Sequence, residues 1–392
     1  MMRVATVCIL AAALTAACFE RRAVAYPQFQ FSSGTTRCSQ CHYSPAGGGL
    51  ITSWGRDQAG DTISLGGDGS FAHGAVALPS WLALGVDLRM AATRNDVGGP
   101  ESPEYDVFPM QADLYARVAF SDQLSLYVEG GVRGDTGREE SVNSQFESVV
   151  DRLISNEHYL MWRQGGTGAY VRLGRFFAPF GLRFAEHIFY VQRYTGYDLY
   201  NETYTLSGGY IGDDTEIHLS AFVPPPESFP NPLQSVGVRE SGGAAYGEHR
   251  FSGMAALALQ ARLGVGPEAT RYEGGAVGKL WLDQAKVLVL GEADFIRQQI
   301  KAAAAGENQF VSFVGPTFFP THGLMAGVAY ERYQEDLAVA ATAHNAFDLE
   351  VNLFPWAHLE LLALARYQFF GSAARSDGAS ASLYMLQIHY YL

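Results

Sequence analysis

From about Trp81 to Leu392 the chain alternates apolar and polar residues in a series of short runs. Successive side chains of a β-strand point to opposite faces, so each such run is a strand with one apolar side and one polar side. Phe108–Phe120 sets Met110, Ala112, Leu114, Ala116, Val118 and Phe120 against Gln111, Asp113, Tyr115 and Arg117. Gln123–Gly134 sets Leu124, Leu126, Val128 and Val132 against Ser125, Tyr127, Glu129 and Arg133. In Lys286–Arg297, Val287, Val289, Ala293 and Phe295 oppose Lys286, Glu292 and Asp294, and Ala343–Phe354 and Trp356–Phe369 repeat the scheme. A soluble sandwich also alternates, but here the polar side is charged on strand after strand while the apolar side is smooth. Lipid outside and a watery lumen inside account for both sides.

Connection lengths argue the same way. About sixteen strands start near residues 81, 108, 123, 157, 168, 204, 214, 237, 252, 271, 286, 308, 322, 344, 357 and 381. Every second connection is tight: Ser121-Asp122, Gln164–Thr167, Gly212-Asp213, Asp283–Ala285 and Pro355. The others are long: 93–107, 135–156, 177–203, 224–236, 298–307 and 370–380. Short turns at one rim and long loops at the other describe an outer-membrane barrel with both termini periplasmic. The 21 Tyr, 24 Phe and 43 Gly, with only 17% charged residues, suit aromatic girdles and tight turns. The expected fold is therefore all-β: an antiparallel transmembrane β-barrel over residues 76–392, carrying a small N-terminal segment and seated in bacterial outer-membrane lipid. Outside the N-terminus no apolar run approaches the 18 residues of a membrane-spanning helix. The run Gly174–Leu182 opens the longest loop, and the residues allow it either to fold into the lumen or to lie on the surface.

Residues 1–25 read as a secretory signal: Arg3, an apolar stretch Val4–Ala17, and the small-residue site Ala23-Val24-Ala25. Thr15-Ala16-Ala17-Cys18 is a looser match to a lipoprotein site. Cleavage after Ala25 removes Cys8 and Cys18 and leaves Cys38 and Cys41 as the only thiols. They stand in Cys38-Ser39-Gln40-Cys41-His42, the C-x-x-C-H spacing of covalent c-type haem attachment. The two sulfurs take the vinyl groups as thioethers, and His42 follows as an axial ligand of the iron. The blander readings are a redox dithiol, half a zinc site or a disulfide. No second Cys pair supports zinc, and no thioredoxin-like context supports a redox dithiol.

Residues 26–75 form the haem-binding segment, too short for a core of its own and expected to lean on the barrel as a plug. Phe29, Phe31, Tyr43, Leu50, Ile51 and Trp54 are available to cover a haem face, and Arg56 either pairs with a propionate or is a solvated surface residue. For the far side of the iron, His73 is the nearest choice in the chain. Strand parity also turns His218, His344, His358, His389, Met161 and Met325 to the lumen and Met90 to lipid. A net charge of −13 with no basic block excludes nucleic acid as a partner. Neither a hydrolase elbow nor a Walker loop is present.

Pro27, Phe29, Gly34, the Cys38–His42 motif, Leu50, Thr52 and Trp54-Gly55-Arg56, followed by a barrel to the C-terminus, resemble the fused outer-membrane cytochrome–porins of iron-oxidising bacteria. About thirty residues match closely, and the rest matches by architecture. The glycine run Ser44–Gly49 and a shortened segment after Arg56 depart from the pattern and set the chain on a distant branch. The resemblance implies one haem c held in or at the pore. That haem would pass electrons between an extracellular redox partner, Fe(II) among the candidates, and a periplasmic c-type cytochrome or other carrier. It carries residue roles over only to Cys38, Cys41 and His42. Two other readings stand beside this one: a diffusion porin whose haem segment is structural or sensory, and a surface haem enzyme such as a peroxidase, which needs an open sixth position on the iron.

Overall fold

The structure is a computed structural model, and it describes residues 26–98, 102–132, 153–186, 188–198, 201–225, 239–301, 306–372, 374 and 380–392. The expected leader and most of the 135–156 loop lie outside these residues. Sixteen antiparallel strands close into one barrel, with β1 (Leu82–Asp96) pairing β16 (Ser380–Tyr391) to seal it. Each strand begins within four residues of its expected start. Because every strand has two hydrogen-bonded neighbours, no backbone edge is left to meet lipid.

Side-chain parity follows the sequence pattern. On β2 (Glu104–Ala119) Leu114 is exposed outward while Gln111, Asp113 and Tyr115 are buried inward. The same division holds for Leu126 and Val128 against Ser125, Tyr127 and Glu129 on β3 (Leu124–Val132). A continuous exposed apolar exterior of this size is a lipid-facing surface. Leu259 lies midway along β9 (Ala255–Val265) and is 67% exposed on that surface. Leu259→Arg is expected to destabilise the barrel by about 2–4 kcal/mol, the cost of a guanidinium at the bilayer midplane. Denaturant unfolding in liposomes checks this; a change below about 0.5 kcal/mol would contradict lipid contact there.

The tight turns occupy one rim, but Pro355 is not one of them. It lies inside β14 (Ala343–Trp356) beside an irregularity between Leu353 and Trp356, and the turn is Ala357-His358. A bulge spares proline from ladder bonding, so it does not end the strand. On the opposite rim the connection between β9 and β10 (Ala269–Leu282) is only residues 266–268.

The lumen is largely occupied. Of the two positions open to Gly174–Leu182, the inward one is realised. The loop after β5 (Gly168–Phe176) turns in, and Leu182, Phe184, Phe189, Tyr190 and Val191 pack on Leu288, Leu290, Val311 and Phe313 of the barrel wall. Lumen carboxylates hold its backbone: Leu182 N–H donates to Glu292 Oε2 (2.7 Å), and Tyr190 N–H donates to Glu331. The N-terminal segment takes up much of the rest. Its Leu50 packs among Ala83, Tyr115, Tyr127, Tyr159 and Phe176 on the wall.

Candidate haem-binding cavity

Cys38–Cys41 is a single helical turn, and Gln40 Oε1 closes its start by accepting the N–H groups of Thr36 and Arg37, each at 3.0 Å. His42 then leaves the turn in extended conformation and bridges to Ile51 as the first rung of a small hairpin. Gly47, Gly48 and Gly49 turn that hairpin with φ of +81°, +80° and +61°, which residues bearing a Cβ adopt only at a cost. This explains the glycine run seen in the sequence. The hairpin leads into helix Ser53–Gln58, capped by Thr52, whose hydroxyl accepts Gly55 N–H at 3.1 Å. A Cβ on Gly55 would stand 2.5 Å from Cys41 O, so glycine is required where this helix rests on the motif turn.

The segment is tied to the barrel on every side. Arg172 Nη1 donates to Ser44 Oγ (3.1 Å), Arg183 Nη1 to Gly47 O (3.0 Å), and Lys279 Nζ to Gln30 Oε1 (2.7 Å). Backbone bonds run from Leu65 N–H to Phe354 O (2.9 Å) and from Ala357 N–H to Gly66 O (2.8 Å). His358 Nε2 lies 2.7 Å from Gly69 O, and the ring is fully buried. Burial holds this histidine down at about 4, against an ordinary 6.5. The docked segment therefore binds fewer protons than the undocked one between those values. Docking strength is complete above pH 6.5 and falls as pH drops toward 4. Amide protection across residues 64–70, taken relative to the intrinsic exchange rate at each pH, is expected to fall over that interval in the wild type and to lose the step in His358→Gln. Equal protection of the wild type at pH 7 and 4.5 would contradict it.

Cys38, Cys41 and His42 open onto a cavity between the segment, the inward loop and the wall, with about 1260 Å³ of space not filled by protein atoms, part of it open. Phe29, Ile51, Ile63, Val86, Phe180 and Leu182 give it apolar walls; His218, Lys279 and His389 bring polar groups from the strands. Both thiols are free. Burial pushes Cys38 up to about 11 and also raises Cys41, so neither is the activated thiolate that a redox dithiol requires. Among the described residues no group of three or more His, Cys, Asp or Glu is arranged to hold a metal ion, which leaves the half-zinc reading without partners. Burial lowers His42 to about 4, so its imidazole is neutral, and Nδ1 is buried without a hydrogen-bond partner. Two thiols on one turn, a neutral imidazole beside them and an apolar cavity in front form a donor set that fits a covalently attached haem.

Two expectations are corrected. Arg56 is neither solvated nor on the cavity: it is buried, donates to Leu84 O and lies 5.2 Å from the centre of the Phe71 ring, tying its helix to the wall. The arginines that do line the cavity are Arg37 and Arg183. Arg183 comes from the inward loop, so no local sequence signal marks it. His73 is also absent from the lining. It sits at the short-turn rim, with Nε2 3.2 Å from Tyr390 Oη and its ring 5.5 Å from that of His358. The backbone of Ala72 and His73 is left-handed there, which carries the chain away from the motif.

A sixteen-stranded closed barrel with an apolar exterior and a polar, occupied lumen is the fold of an outer-membrane porin. Comparison with solved structures bears this out. The chain is similar to OmpT of Vibrio cholerae, with 12% identity over 81% of this chain and 100% of that one and a TM-score of 0.58. It is also similar to OprB of Pseudomonas putida, with 11% identity over 80% and 94% and a TM-score of 0.60. A third likeness is to an anion-selective porin from Comamonas acidovorans, with 11% identity over 79% and 99% and a TM-score of 0.54. No protein-family model matches the chain, and no curated protein matches it by sequence.

Proposed function

We propose that the chain is a bacterial outer-membrane electron-transfer conduit. A single haem c is attached through Cys38 and Cys41 and ligated by His42 inside a porin-like barrel, on a distant branch of the cytochrome–porins. The observation that carries this reading is the coincidence of stopper and motif: the segment that closes the lumen is the one that presents the two thiols and the histidine to an enclosed cavity. A diffusion pore gains nothing from a buried C-x-x-C-H turn. A conduit needs its redox centre kept from lipid and solvent yet within reach of both rims of a barrel whose apolar band is only about 25 Å tall.

In this reading the haem supplies one-electron chemistry, and the chain's own residues set its surroundings. The turn fixes the two sulfurs, neutral His42 offers its lone pair, and Phe180 and Leu182 exclude water from one side. Arg183, at the cavity edge, is the cation available to carboxylate groups there. Electrons would pass between an extracellular partner, with ferrous iron as one candidate donor, and a periplasmic c-type cytochrome or similar carrier. Protein matured in a cytochrome-competent host should show a c-type reduced-minus-oxidised spectrum. In liposomes loaded with a soluble cytochrome, it should pass electrons from an external donor too large to permeate.

The fold comparisons weigh toward a second reading, a diffusion porin with a structural or sensory haem segment, because one of those neighbours is described as an anion-selective porin. That reading predicts large ionic conductance in planar bilayers, unchanged by His42→Ala. Such a result, without electron transfer across the liposome, would replace the conduit.

A further inference from the structure

We infer that His218 supplies the second axial ligand of the iron; this rests on the haem reading above. A ligand for that position must line the motif cavity and bring a nitrogen or sulfur lone pair that nothing else claims. Among the described residues the lining offers three nitrogen ligands of suitable kind besides His42, namely Lys279, His218 and His389; the arginines are permanent cations and amides are poor ligands.

Lys279 is spoken for, with Nζ 2.7 Å from both Gln30 Oε1 and Glu248 Oε2. His389 lies between two carboxylates, Nδ1 2.7 Å from Glu360 and Nε2 3.1 Å from Asp87. That cradle sets a carboxylate against each ring nitrogen, so neither is left for a metal. Met161 and Met325 are buried as parity requires, but neither lines this cavity.

His218, on β7 (Thr215–Val223), differs from His389 in facing one carboxylate rather than two. Its Nδ1 is 2.7 Å from Tyr170 Oη, and Tyr170 is steadied by Ser207 at 3.3 Å. With Nδ1–H donating to that oxygen, the lone pair sits on Nε2. Nε2 is buried and, like His389 Nε2, makes no hydrogen bond. Nε2 faces Glu216 at 3.4 Å, farther than either carboxylate on His389, and Arg250 also holds Glu216, at 2.9 Å. A histidine on the cavity lining, pinned through one nitrogen and making no hydrogen bond with the other, is how a protein orients an imidazole for a metal.

Optical and EPR spectra of the purified full chain carrying its haem test this. The wild type should be low-spin and six-coordinate. His218→Ala should keep its covalent haem, become high-spin, and bind added imidazole or azide at least tenfold more tightly. His218→Met should stay low-spin with a raised midpoint potential, which guards against a fold lost to the smaller residue. His389→Ala should leave the spin state unchanged. A low-spin His218→Ala, or a spin change in His389→Ala, overturns the assignment to His218. So does a high-spin wild type. A wild type with no covalent haem overturns the functional reading itself, and the two failures are told apart by haem staining.

Discussion

Replacing Cys38 and Cys41 together by alanine should leave a folded but colourless barrel. Among the described residues the two sulfurs are the cysteine anchors on the cavity, and both are free. The docking contacts described above run through other residues of the segment, among them Ser44, Gly47, Leu50, Arg56, Leu65, Gly66, Gly69 and Gln30. Covalent haem should therefore fall to none, while the heat-modifiable migration of the barrel on gels stays that of the wild type. Single replacements should leave a one-thioether haem with an altered spectrum. Retention of covalent haem in the double variant would remove the chemical basis of the conduit. Loss of the folded barrel would show instead that the motif turn is structural.

The barrel was legible because lipid and lumen impose opposite chemistry on alternate residues, and Leu114 beside Asp113 or Phe295 beside Asp294 shows that opposition directly. The inward loop was half legible. Its own residues, Phe176 to Leu182, suit either position, but the wall carries a signal of what covers it. Val287-Leu288-Val289-Leu290 is apolar on both faces, so its lumen side must meet something apolar, and Leu182 and Phe184 are what it meets. The motif residues Cys38, Cys41 and His42 could be read from spacing alone, because their chemistry is local.

What surrounds them could not be read in the same way. The cavity takes Arg183 from the loop, His218 from β7 and His389 from β16, residues that only barrel closure brings together. Arg56 and His73 misled for the complementary reason. Nearness in sequence suggested nearness to the haem, whereas the helix Ser53–Gln58 and the left-handed turn at Ala72-His73 carry them to the wall and the rim.

Deleting residues 26–78 behind the same leader should turn a closed barrel into a conducting one. The sixteen-strand ladder contains no residue of the deleted segment, so the barrel can close without it. The segment nevertheless covers lumen-facing Tyr115, Tyr127, Lys279 and His389, none more than 7% exposed while it is in place. Removing it opens that half of the cross-section to water. Exposed ion pairs such as Lys279–Glu248 then gain hydration in exchange for contacts with Gln30 and its neighbours. The inward loop should remain, held by Glu292 and Glu331, so the pore should be narrower than the barrel diameter allows. Conductance in planar bilayers should rise at least tenfold over the intact protein. It should rise again when Glu292→Ala and Glu331→Ala free the loop. Equal conductance with and without the segment would mean that the intact lumen already passes ions, and the role of residues 26–78 as a stopper would be lost with it.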